Sequence, residues 1–122
     1  MSSGLQYART PDGAHVAYEV GGQGAVDVLA LFAHGISIGD QRGGRHCREF
    51  IERLERFARV VRFDRRGMGL SDPIPRFDDG SMDLWAEDAI AVLDGAGMAR
   101  PAIVSVDSTA APIALMLAAS RP

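Results

Sequence analysis

Ser108 lies in the middle of the stretch from Ile103 to Leu115, whose residue types suit nucleophilic chemistry. Ile103-Val104-Ser105-Val106 is a short apolar run suited to a buried strand, and the chain then passes through small or polar residues, Asp107 to Ala110. An apolar run long enough for a buried helix follows from Ala111. A strand, a tight turn and a helix in this order are the layout of a nucleophile elbow, which lifts a side chain out of the sheet. The helix behind the turn points its N-terminus at the site, and free N–H groups there can stabilise a developing oxyanion. The candidate nucleophile is Ser108.

A second stretch, Asp64-Arg65-Arg66-Gly67-Met68-Gly69-Leu70-Ser71-Asp72, follows an apolar run and precedes a polar loop. Gly67 and Gly69 let the backbone fold tightly, and Asp64 and Arg66 are expected to pair across the turn. The motif reads as a brace for a loop, because no step of acyl transfer requires these groups. It is not a nucleotide fingerprint, since the third glycine is missing. The sequence holds three histidines. His34 falls at the end of an apolar run, directly before Gly35 and Ile36, where it either acts as a base or orders a turn. His15 and His46 are expected to face solvent. No metal site and no cofactor are expected.

Elements that could position these groups follow from periodicity. Leu5–Arg9 and Ala14–Val20 read as two strands, the second with Val16, Tyr18 and Val20 alternating against His15, Ala17 and Glu19. Thr10-Pro11-Asp12-Gly13 between them marks a hairpin turn. Gly21 to Gly24 is a connector. Val26–Ala33 is nearly continuous in apolar residues, as expected of a parallel strand buried on both faces. Ile38–Arg45 reads as a Gly-rich polar loop, and His46–Phe57 as a helix with Cys47, Phe50, Ile51, Leu54 and Phe57 on one face. On its other face Arg48/Glu52, Glu49/Arg53 and Glu52/Arg56 have ion-pair spacing. Arg59–Asp64 is a further strand, and Ser81 is a plausible N-cap for a helix from Met82 to about Asp94 with Met82, Trp85, Ala89 and Leu93 on one face. Ala102–Val106 leads into the turn at Ser108, and the helix Thr109–Ser120, apolar on nearly all sides, is expected to be buried. The order predicts an α/β fold: an N-terminal β-hairpin followed by parallel β/α units with right-handed crossovers.

Composition narrows the function. With 122 residues the chain makes one domain at most. All thirteen basic residues are Arg, yet the net charge is −3, which argues against a general nucleic-acid binder. Nine of them fall between Arg42 and Arg66, with Glu49, Glu52, Glu55 and Asp64 interspersed, so a solvated helix face explains them better than nucleic-acid contact. The single Cys47 makes no internal disulfide and fits a reducing, cytoplasmic setting. The N-terminus lacks the pattern of a signal peptide, and the longest mainly apolar runs, Ala25–Ala33 and Ala110–Ala119, are too short to span a bilayer, so no membrane partner is expected.

Three motifs in order carry a resemblance. Asp64–Asp72 resembles the Asp-x-Arg-Gly-x-Gly-x-Ser turn of α/β-hydrolase-fold proteins, built here on Asp64, Arg66, Gly67, Gly69 and Ser71. His34-Gly35 after the preceding strand resembles that family's oxyanion turn. Ser108-Thr109-Ala110-Ala111-Pro112, running without gaps to Pro122, is similar to the Ser-Glu-Gly-Gly-Pro elbow of one branch, which includes the hydrolase-like regions attached to some class III adenylate cyclases. The resemblance runs from Tyr7 to Pro122 and implies the N-terminal half of an α/β-hydrolase fold. It implies a serine hydrolase acting on an ester, thioester or amide of a small molecule. Ser108 would attack the carbonyl, and the backbone N–H groups of Ile36 and Thr109 would hold the oxyanion, with His34 and Gly35 shaping the turn.

Other readings stay open. Asp107, flanked by Ser105 and Thr109, is the nucleophile if the register follows haloalkane-dehalogenase-like members, although that register loses the match at Pro112 and Pro122. A non-catalytic binding or sensory module with an altered elbow is the alternative: of the positions two before and two after Ser108, where the family places small residues, Ala110 fits but the β-branched Val106 crowds a strained turn. In this fold the acid and the His follow the nucleophile. No His follows Ser108, so the chain is expected to be a partial domain, inactive alone, that either lacks its second half or self-associates through an open sheet edge.

Overall fold

A computed structural model describes residues 4–32, 36–74, 81–106 and 110–120. The chain order is β1 (Leu5–Arg9), β2 (His15–Gly21), β3 (Val26–Leu31), α1 (Ile38–Gly43), α2 (Arg45–Glu55), β4 (Ala58–Phe63), α3 (Ser81–Ala96), β5 (Ala102–Ser105) and α4 (Ala111–Ser120). The strands form one sheet in the order β1-β2-β4-β3-β5. β1 and β2 make the expected antiparallel hairpin, with Tyr7 opposite Ala17, and β2 runs antiparallel to β4. β3 pairs parallel with β4 on one side and with β5 on the other, as the apolar runs predict.

Alternation along β3 divides the core in two. Leu29 and Leu31 point to one face, where Trp85, Ala89 and Val92 of α3 and Ile113 and Leu117 of α4 cover them. Val28, Ala30 and Phe32 point to the other face, where Ile51 of α2 covers them with Val60. The period of two in a strand and the apolar stripe of a helix thus give three layers, α2 on one side of the sheet and α3 with α4 on the other.

Several expectations are corrected. Ile38–Arg45 is not a loop: Ile38–Gly43 is a short helix, because the Ser37 side chain accepts from the Asp40 amide while Asp40 accepts from the Ser37 amide. This reciprocal cap satisfies two donors that would otherwise be free. Helix α3 runs from Ser81 to Ala96, past the expected end at about Asp94. Helix α4 is not buried all round; Ile113 and Leu117 face the core while Leu115 is 72% exposed. On α2, Ile51 is fully buried, but Phe57 at the end of the expected stripe is exposed because the helix ends at Glu55. Arg48 pairs with Glu52 as spaced, and Arg45 pairs with Glu49.

Candidate active site at the carboxyl edge of the sheet

The parallel strands β3, β4 and β5 end side by side. Leu31 is in register with Ser105, and the Val106 amide donates to the Leu31 carbonyl at 2.9 Å. From β3 the chain passes to α1 and α2 on one face, and from β5 to α4 on the other. Where connections from adjacent strand ends lead to opposite faces of such a sheet, a crevice at the carboxyl edge is the usual ligand position. Residues 33–35 follow one of these strand ends and residues 107–109 the other. Ser108, Thr109, His34, Gly35 and Asp107 lie outside the described residues. Ile36 is half-buried, and its carbonyl accepts from Gln41 Nε2 at 3.2 Å. Val106 is exposed and Ala110 is buried.

The motif after β4 is placed completely. Asp64 is buried, and its carboxylate accepts from the Ile38 amide at 2.8 Å and from the Leu70 amide at 2.9 Å. Ser71 Oγ donates to the Asp64 carbonyl and accepts from the Ala17 amide at 2.8 Å, which ties the turn to β2. Gly67 and Gly69 have φ of +91° and +57°, a region that suits glycine.

Asp64 and Arg66 do not pair with each other, contrary to the sequence expectation. Arg66 is 2% exposed; its Nε donates to Asp88 at 2.8 Å and its Nη1 to Asp12 at 2.7 Å. The Arg66 amide also donates to Asp88, at 3.1 Å. The two side chains diverge because Asp64 is already taken up by backbone amides. Burial pushes the Asp88 carboxyl above its ordinary value, against the pull of the Arg66 hydrogen bonds. For Arg66 burial acts downward, but the hydrogen bonds to Asp88 and Asp12 outweigh it and raise its pKa.

Other buried polar groups escaped the sequence reading. Arg65 Nη2 donates to the Phe32 carbonyl at 2.7 Å, and its guanidinium carbon lies 5.4 Å from the Trp85 ring centre. Trp85 Nε1 donates to the Arg66 carbonyl at 3.1 Å. Arg62 is buried on the other face, donating to Gln41 Oε1 at 2.8 Å and meeting Glu19 at 3.4 Å, and burial first of all lowers its pKa. A signal existed: Asp88 lies three residues after Trp85 on the apolar face of α3, and Arg62 interrupts the apolar run of β4. Charges in such places are rarely buried without a partner. His15 and His46 are exposed as expected, and His15 Nδ1 lies 3.4 Å from Asp72.

A cavity of about 270 Å³ between α3 and α4, lined by Leu93, Met98, Pro101, Ile103 and Leu117, opens at the amino end of β5, away from the crevice. Among the described residues no group of three or more His, Cys, Asp or Glu could hold a metal ion, and no helix is long and apolar enough to cross a membrane.

No protein-family model matches the sequence. No curated protein matches it. Solved structures do. An alpha/beta hydrolase from Sphaerobacter thermophilus matches at a TM-score of 0.74 and 29% identity, over 94% of this chain and 40% of that one. An epoxide hydrolase from Vigna radiata matches at 0.77 and 22% identity, over 98% of this chain and 36% of that one. A bottromycin epimerase in complex with bottromycin A2 matches at 0.78 and 24% identity, over 94% of this chain and 43% of that one. The architecture is therefore that of part of an α/β-hydrolase fold, and the chain spans about 40% of the length of the structures it matches.

Proposed function

We propose that this chain is the nucleophile-bearing part of a serine hydrolase of the α/β-hydrolase fold, acting on an ester, thioester or amide of a small molecule. The observation that carries the reading is the parallel pairing of β3 with β5, which brings the residues flanking 33–35 and 107–109 to one crevice. In this reading Ser108 attacks the carbonyl, and the Ile36 and Thr109 amides hold the oxyanion while His34 and Gly35 shape the turn. The acid and the base of the triad come from outside these 122 residues, so the chain alone is inactive. Its setting is the cytoplasm, as the lone Cys47 suits, and its partners are the remaining part of the domain or a second copy.

A second reading has one observation in its favour. Val106, β-branched, stands two residues before Ser108 where a strained turn favours a small residue. A non-catalytic binding or sensory module, like the hydrolase-like regions beside class III adenylate cyclases, tolerates that substitution.

Fluorophosphonate labelling of the natural polypeptide, at whatever length it is made, separates the two. Labelling that disappears in Ser108→Ala supports the hydrolase. Labelling retained in Ser108→Ala contradicts the assignment of Ser108, and no labelling at all supports the binding module.

A further inference from the structure

Three consecutive side chains leave the carboxyl end of β4 in three directions. Arg66 reaches α3 and the hairpin turn, and Asp64 accepts from the Ile38 amide at 2.8 Å. Arg65, between them, donates from Nη2 to the Phe32 carbonyl at 2.7 Å. Phe32 and Ile38 bracket the segment that contains residues 33–35 and Ile36. Both ends of that segment are thus fastened to neighbouring residues of one strand end.

The Arg65 bond is not part of the sheet ladder, whose β3–β4 register runs from Val26–Ala58 to Leu29–Val61. Packing alone gives no reason for a cation at this point. Arg65 is 4% exposed, and an aliphatic side chain would cover Trp85 without the cost of desolvating a charge. A guanidinium meets both demands of the position: its charge lies over the Trp85 ring, 5.4 Å from the ring centre, while an N–H donates to a carbonyl. Arg65, Phe32, Ile36 and Gln41 also line one cavity of only about 10 Å³, so the groups are close-packed and leave no room for a ligand between them.

We infer that Arg65 is a positioning residue: its hydrogen bond to the Phe32 carbonyl, together with the Asp64 bond to the Ile38 amide, sets the backbone that presents the Ile36 N–H to the crevice. The inference rests on the assignment of the Ile36 amide to the oxyanion proposed above. It adds that the variable residue of the Asp64–Asp72 turn, and not only its glycines, serves the site.

Amide hydrogen exchange, followed by NMR on the dilute 122-residue chain, tests it without recourse to activity. Arg65→Met should speed exchange at Ile38, whose amide donates to Asp64, by about tenfold, on the order of one lost hydrogen bond, and shift the Ile36 and Ile38 resonances. Amides of α2 and β2 should keep their rates. Arg65→Lys, which retains a donor and a cation over Trp85, should restore part of the protection. Unchanged exchange at Ile38 with an unshifted Ile36 resonance, or a change only in step with Ile51, would overturn the inference. If Arg65→Met fails to fold, the unsubstituted chain still decides. Slowly exchanging Arg65 Nη2 protons with a scalar coupling to the Phe32 carbonyl carbon support the bond, and protons exchanging at solvent rates overturn it. None of these rates depends on whether Ser108 reacts, so failure here is distinct from failure of the labelling test.

Discussion

A Cβ built on Gly69 would fall 2.1 Å from Asp64 Oδ2, and the backbone there has a φ of +57°. Gly69→Ala therefore meets two penalties at once, a clash with a buried carboxylate and a left-handed backbone. The expected loss of stability is about 2–4 kcal/mol, measured by urea denaturation. Arg66→Met removes the cation from a carboxylate that is fully buried, Asp88. The expected cost is about 3–5 kcal/mol at neutral pH. It should shrink on mild acidification, because burial already raises the Asp88 carboxyl and the orphaned group then takes up a proton. Asp12 and Asp72 behave oppositely. Hydrogen bonds from Thr10 and then Arg66 lower the Asp12 carboxyl, and the His15 amide lowers Asp72. Groups with lowered folded pKa contribute stability above the ordinary carboxylate pKa of about 3.9 and lose it as pH falls through the folded value. The double variant Asp12→Asn with Asp72→Asn should flatten the fall of the urea midpoint below about pH 4; a slope identical to the parent's would contradict this assignment.

At the scale of elements, the periodicities in the sequence carried far. The hairpin, the parallel strands and the apolar face of α3 follow from spacing alone, because burial enforces a period of two or 3.6 wherever a face meets the core. Helix α1 did not follow from spacing. Its stability comes from Ser37 and Asp40 capping each other, a short-range polar device inside a stretch whose glycines signal a loop. Ser37→Ala should cost about 1 kcal/mol and raise exchange throughout α1, while α2 keeps its protection. The partners of Asp64 and Arg66 were equally out of reach, since the Ile38, Asp88 and Asp12 groups they meet stand 26, 22 and 54 positions away in the chain. A motif announces that a turn is tight; only the packed layers decide which amide or carboxylate arrives beside it. For the candidate nucleophile the sequence supplied the turn, and the structure supplies the strand register on either side of it, with Ser108 itself outside the described residues.

For the molecule as a whole, β5 is the last strand of the sheet, and beside it α4 presents Leu115 at 72% exposure and Val106 stands 44% exposed. An open strand edge next to apolar surface is a template for pairing with another chain. The isolated chain should self-associate at tens of micromolar, an order-of-magnitude working range, in light scattering. Leu115→Glu should shift it toward monomer, whereas a monomeric parent with a cooperative melt would contradict the expectation.

The most direct test of the proposed division of labour, a nucleophile in this chain and its base elsewhere, is hydrolysis of p-nitrophenyl acetate by the purified 122-residue chain beside its Ser108→Ala variant. A serine without a base keeps its proton at neutral pH and attacks slowly. The expected result is the same slow, non-saturating background for both proteins. Saturable turnover by the parent that Ser108→Ala abolishes would contradict it, and substituting His15, His34 and His46 in turn would then identify the base.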